Sequence, residues 1–286
     1  MARRRAPKVH GLAVVDKPAG VTSHDVVGEL RRRLGERRIG HAGTLDPGAT
    51  GVLVVGVGSV TRLLRFVADG TKRYTGEVVL GVETATLDAD GAVTATHDMG
   101  AVTVEGARRA AAHLTGDIEQ VPPMVSALKV GGRRLHQLAR EGVEIERVPR
   151  RVTVHRFEIT ATDEPGVLAI DVECSTGTYV RTLAADLGRQ LGGGAHLRHL
   201  RRIAVGPFTI AEARPPDRVE LLPPIEALRG MLQVRVDGEV AARVANGAVL
   251  EAPDGSGPWA LVGPDGRLLA VYEPHGAGRA KPTVVL

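Results

Sequence analysis

The strongest constraint on the fold is a change of hydrophobic period along the chain. Residues 143–160 and 167–174 alternate apolar with polar side chains, as antiparallel strands with one buried face do. The second run leads through Ser175-Thr176-Gly177 into a helical pattern with Val180, Leu183, Leu187 and Leu191 on one side. Near the start, Thr22 and Ser23 precede Val26, Val27, Leu30 and Leu34, which predicts a capped helix with one apolar face. Further strands are expected over 52–57 and 72–83, and helices over 60–68, 103–114 and 133–141, each closed by a glycine. Residues 121–130 read as extended through Pro122 and Pro123. Strands and helices follow one another without a regular βαβ rhythm, so the fold class expected is α+β, around an antiparallel or mixed sheet.

At 286 residues the chain has room for about two domains of roughly 150 residues each. The Pro-rich, charged segment 215–224 marks a boundary. Beyond it, residues 233–236, a short helix over 238–244, the Asn246-Gly247 turn and strands near 259–262 and 268–272 predict a small β-rich unit. The expected division is a catalytic domain over 1–228 and a smaller domain over 229–286.

Residues 37–51 contain four glycines and a proline, so they cannot continue the preceding helix and read as a long structured loop. Loops of that kind in compact domains are usually functional. Within it Asp46 precedes Pro47, and glycines on both sides let the backbone present a side chain to a ligand. An aspartate so held suits a nucleophile, a general base or a metal ligand, although Asp-Pro-Gly is also an ordinary turn sequence. Gly56-Val57-Gly58 lacks the third glycine of a dinucleotide fingerprint, and no G-K-[ST] phosphate loop occurs. The ten histidines show no H-E-x-x-H spacing, so nothing in the sequence calls for a metal.

Basic residues exceed acidic ones only by 37 to 33, but they cluster. Residues 1–40 hold ten basic and four acidic side chains, 129–156 eight and three, and 189–202 four and none, whereas 231–286 hold five and six. Clustered guanidinium groups gain by displacing a polyanion's counterions, which makes nucleic acid the leading partner class; an arginine-rich composition alone gives the same count. The single cysteine, Cys174, excludes an intramolecular disulfide and points to a reducing compartment. The basic start is followed by an apolar stretch of only residues 12–15, too short for a signal peptide, so a cytoplasmic location is expected.

Six blocks then carry a resemblance. Residues 16–23 (D-K-P-A-G-V-T-S), 40–47 (G-H-A-G-T-L-D-P), 72–74 (K-R-Y), 126–129 (S-A-L-K), 177–182 (G-T-Y-V-R-T) and 194–202, with G-A-H-L and L-R-R, resemble the TruB family of tRNA pseudouridine synthases in content and order. The resemblance implies conversion of uridine to pseudouridine at position 55 in the TΨC loop of tRNA, by base flipping and without a cofactor. Asp46 matches the catalytic aspartate, Tyr74 the tyrosine stacked on the target base and Arg181 the arginine paired with the aspartate. His41 matches the residue filling the space of the flipped base, Tyr179 and Leu200 match further uridine-pocket positions, and Lys17 a supporting lysine. It also implies the T arm of tRNA as partner, no obligatory protein partner, and a PUA-type RNA-binding domain at the C terminus. Two other readings stay open: the related guide-RNA-dependent branch acting on ribosomal RNA, and a tRNA chaperone activity beside or without catalysis.

The chemistry agrees with those roles. The reaction breaks an N-glycosidic bond, turns the base and rejoins it through carbon. An ionised carboxylate serves by attacking the ring or C1′, or by proton transfer through a glycal. A guanidinium beside it favours the charged form. With only seven aromatic residues (Phe66, Tyr74, Phe157, Tyr179, Phe208, Trp259 and Tyr272), the chain cannot build a stacking platform along a strand, but one extruded base needs few rings.

Overall fold

The computed structural model describes residues 7–126 and 128–286. Residues 1–6 of the basic N-terminal stretch, and Ala127 of the 126–129 block, lie outside the described residues. The chain opens with strand β1 (Gly11–Lys17), a buried run, and helix α1 (Ser23–Leu34). Thr22 caps α1 in a reciprocal capping box with Asp25, and Gly35 ends it in a left-handed conformation. After β2 (Ile39–His41) the glycine-rich segment forms a loop over 42–49, which feeds β3 (Thr50–Val57).

The helix expected over 60–68 is instead a 3₁₀ turn (Gly58–Arg62) followed by the short α2 (Leu64–Ala68). The strand expected over 72–83 is β4 (Lys72–Leu80), broken at Gly81 from β5 (Val82–Thr84), which pairs with β6 (Val93–Thr96). Helix α3 (Val104–His113) is followed by β7 (Gly116–Gln120) and a small hairpin of β8 (Lys129–Val130) and β9 (Arg133–Arg134). That hairpin takes the start of the helix expected over 133–141, leaving α4 (Leu135–Arg140). The alternating runs become β10 (Arg150–Ala161) and β11 (Val167–Cys174), with 143–149 outside the strand. Helix α5 (Val180–Gln190), β12 (Ala195–Val205) and β13 (Phe208–Thr209) complete this part.

Nine strands form one mixed sheet whose main path runs β1-β3-β12-β4-β11-β10-β7. β12 lies inside it, parallel to β3 and antiparallel to β4. Helices α3 and α5 contribute Ala107, Ala111, Leu183 and Leu187 to a core with Val78, Val154 and Val172 from the sheet. Gly51 (φ 101°) is required where β3 meets β12, because a Cβ there would stand 2.2 Å from the Arg202 carbonyl oxygen.

A second sheet, ordered β14-β16-β17-β18-β15, is built from β14 (Leu232–Arg235), β15 (Leu250–Glu251), β16 (Trp259–Val262), β17 (Leu268–Pro274) and β18 (Arg279–Val285). Helix α6 (Gly238–Ala245), capped by Asp237, packs on it. Ala260, Leu268, Val271 and Val284 of this sheet share one apolar cluster with Leu12, Val54, Leu63 and Val67 of the first part. Among the described residues no helix is long and apolar enough to cross a membrane.

Candidate active site

The 42–49 loop is rigid because buried side chains catch its carbonyl oxygens one after another. Arg202 donates to Gly43 at 3.1 Å and Thr44 at 3.4 Å, the Ser23 hydroxyl donates to Leu45 at 3.2 Å, and Lys17 Nζ donates to Pro47 at 3.1 Å. Ser23 Oγ in turn accepts from the Leu45 N–H, and the Gly20 N–H reaches the same Pro47 carbonyl. Between these anchors the Asp46 carbonyl closes a turn on the Ala49 N–H. A sequence that reads as an ordinary turn is thus an anchored one.

Asp46 meets Arg181 there, Oδ2 lying 3.0 Å from Nε. Arg181 stands in the first turn of α5, where the helix dipole disfavours a cation. It is only 4% exposed and is satisfied on every side: Nη1 donates to the Thr86 carbonyl at 2.8 Å and lies 3.2 Å from Asp88 Oδ2, and Nη2 donates to the Val125 carbonyl at 2.8 Å. Gln120 holds the start of α5 by accepting from the Tyr179 N–H and donating to its carbonyl. The guanidinium is therefore a fixed point between two carboxylates.

The Asp46 side chain is 41% exposed and lines a cleft of about 270 Å³ with Asp88, Asp90, Arg181, Leu197, His199 and Leu200. The surrounding protein still pushes its carboxyl above the ordinary 3.8, chiefly by burial, while Arg181 pulls it down and Asp88 pushes it up. The result is a carboxylate held in the charged form mainly by one guanidinium.

The structure brings Asp46, Arg181 and Leu200 to one cleft. Tyr74 is buried on β4, in the core cluster that also holds Leu45 and Ala49 and packs against Leu200. It is the cross-strand partner of Arg202, which is 1% exposed and whose charge opposes the upward push of burial on the phenol. Lys17 is fully buried, and its ammonium donates to Pro18, Val21 and Pro47 carbonyls. It sits behind the loop rather than in the cleft, and burial lowers it to about 8. Tyr179 caps α5 two residues before Arg181. His41 ends β2, edge-on to His24 at 6.1 Å between ring centroids, and burial lowers its pKa. Of the expected site residues, Tyr74, Lys17, Tyr179 and His41 are not among those lining the cleft.

Two contributors were not singled out from the sequence. Asp88 lies in the 85–92 connection between β5 and β6, where an acidic pair before Gly91 reads as a surface turn. The backbone of this connection is tied to β12, Ala89 N–H to Leu197 O and Leu197 N–H to Leu87 O, which brings Asp88 to Arg181. Arg202 was visible only as part of a motif, and nothing in the spacing showed that its guanidinium turns inward to carbonyls.

Comparison with known proteins agrees at every length scale. Residues 31–180 match the model of the TruB family pseudouridylate synthase N-terminal domain, 181–220 that of the tRNA pseudouridylate synthase B C-terminal domain, and 231–286 that of tRNA pseudouridine synthase II, C terminal. The tRNA pseudouridine synthase B of Arthrobacter sp. (strain FB24) is 46% identical over 294 residues, covering 96% of each chain. That of Symbiobacterium thermophilum is 50% identical over 250 residues, covering 85% of this chain and 83% of its own. Among solved structures, a chain of an H/ACA RNP bound to a substrate RNA containing 2′-deoxyuridine shares the fold, with TM-score 0.71 at 21% identity over 96% of this chain and 84% of that one. The extent and identity of these matches show that the chain belongs to the TruB family of pseudouridylate synthases.

Proposed function

We propose that this protein isomerises uridine to pseudouridine in tRNA, at position 55 of the TΨC loop. The observation that carries the reading is the Asp46–Arg181 pair, a carboxylate on an anchored loop facing a cleft of nucleotide size. Relatives that share nearly half of its residues over almost the full length bear the name tRNA pseudouridine synthase B. The target base lies inside a folded RNA loop, so it is extruded into the cleft at a cost of a few kcal/mol. His41 fills the gap left behind, Tyr74 and Tyr179 hold the base, and Leu200 forms the wall beside it.

Asp46 does the chemistry in its ionised form. Whether it attacks the sugar or the ring, or moves a proton through a glycal, the C1′–N1 and C5–H bonds break while C1′–C5 and N1–H bonds form. Atoms and charge balance within the nucleotide, so neither an oxidant nor a cofactor is consumed. Arg181 keeps the carboxylate charged, and Asp88 positions Arg181 from its other side. The arginine-rich surfaces grip the phosphates of the T arm, without a protein partner. The catalytic domain spans residues 1–228, the PUA-like domain 229–286, and the enzyme works in the cytoplasm.

The test is to map pseudouridine in bulk tRNA from cells lacking the gene for this chain. The TΨC-loop pseudouridine is expected to disappear and to return with the wild-type gene. Its persistence at full level in the deletion would overturn the proposal.

A further inference from the structure

Of the non-glycine residues lining the cleft, His199 has a left-handed backbone, with φ 53°. Such a conformation is uncommon outside glycine and is maintained against strain. Its origin is a bulge in β12. Arg198 pairs with Glu77 and Arg201 with Thr75, so three steps on β12 oppose two on β4. In a regular strand residues 199 and 200 would point to opposite faces, whereas here both line the cleft.

The ring that the bulge delivers is oriented and open. His199 Nδ1 lies 3.0 Å from Glu77 Oε2, while the side chain is 72% exposed. Glu77 is a firm carboxylate, held below its ordinary value by hydrogen bonds from Arg198 and then His199. With Nδ1–H committed to Glu77, Nε2 faces outward as the free ring nitrogen. The neighbouring cation, Arg198, is bracketed by Glu77 and Glu164.

The chemistry of the cleft then selects the ligand atom. Asp46, Asp88 and Asp90 line the same space, and its two guanidiniums, Arg181 and Arg198, are each already held between two carboxylates, so the cleft disfavours a phosphate. A phosphate also requires the imidazolium form, because neutral Nε2 can only accept. A ribose hydroxyl suits either form, donating to neutral Nε2 or accepting from the protonated ring. We propose that His199, through Nε2, hydrogen-bonds a ribose 2′-hydroxyl at the mouth of the cleft, on the target nucleotide or one beside it. Glu77 is its positioning residue. The inference rests on the reading of the cleft as a uridine site in RNA.

The test uses stem-loop RNAs that already carry pseudouridine at the target, so that no turnover occurs, with all-ribose sugars or a single 2′-deoxy sugar at the target or either neighbour. Wild type is expected to bind one deoxy RNA about five-fold more weakly than the all-ribose RNA, which corresponds to ~1 kcal/mol. His199→Gly is expected to bind the all-ribose RNA about five-fold more weakly than wild type and to ignore that deoxy substitution. Glycine accepts the left-handed backbone, so its Tm should equal or exceed that of wild type, which separates binding from folding. An identical deoxy penalty in both proteins at every position, or no penalty in wild type, overturns the proposal. So does a uniform loss across all four RNAs with a shallower salt dependence, the mark of a phosphate contact. Conversion of the all-ribose uridine stem-loop by wild type, run in parallel, tests the functional reading separately.

Discussion

Among residues, Arg181 decides the state of the site. Burial raises the Asp46 carboxyl above 3.8, and Arg181 is the largest influence holding it down. A carboxylate that must be ionised to act loses activity as pH falls through its pKa, so the acid limb of the rate profile should lie above pH 3.8. Arg181→Met removes the lowering influence, which should move the limb to higher pH. It should also reduce the single-turnover rate near neutral pH by about a hundred-fold, the usual loss for one fixed electrostatic partner. Single-turnover rates from pH 4 upward check both, and an unmoved limb would contradict the pairing.

Among elements, the 42–49 loop was legible and the strand beneath it was not. Four glycines and Pro47 over 37–51 announced a structured loop, whose ends the structure gives to β2 and β3, and the cap at Thr22 announced α1, because turn and cap chemistry is local. β12 gave no such signal. Its residues 198–202 read Arg-His-Leu-Arg-Arg, a surface pattern, yet the strand lies inside the sheet, between β3 and β4. Its charges are met by partners distant in sequence: Arg198 by Glu77 and Glu164, Arg201 by Asp16, and Arg202 by the carbonyls of Val52, Gly43 and Thr44. Asp88 was hidden for the same reason, since its role depends on a backbone bridge to β12. Lys17, by contrast, stood out in a motif, and the structure adds what it does: one ammonium satisfies three carbonyls. Lys17→Met takes the ammonium away from all three carbonyls, leaving Pro47 with the Gly20 N–H, which should cost about 2–4 kcal/mol and slow catalysis by loosening the loop. Denaturant unfolding with an unchanged midpoint would show that the loop does not depend on this anchor.

At the scale of the whole molecule, the two sheets are joined by a shared core rather than merely strung together. Val271 and Ala260 are fully buried within the cluster that reaches Leu12 and Val54, and Arg65 of α2 meets Glu273 and Thr283 across the same junction. The β-rich unit was legible from its short alternating runs, but β18 and this junction were not, because neither carries a local turn or cap signal. A shared core couples the unfolding of both parts, so calorimetry should show one transition. Val271→Asp places an unpaired charge in that core and should lower stability by about 3–5 kcal/mol, still in one transition. Two well-separated transitions in the wild type would contradict the coupling.

The proposed chemistry of the cleft turns on Asp46 being the group that makes pseudouridine. The direct measurement is pseudouridine formed per molecule of unmodified tRNA transcript, with purified wild type and Asp46→Asn and nothing else added, alongside the affinity of each for the RNA. Wild type should form one pseudouridine in the T loop, and Asp46→Asn should form none while binding within a few-fold, since asparagine keeps the shape and loses the charge. Full turnover by Asp46→Asn, or no pseudouridine from the wild type, would contradict it.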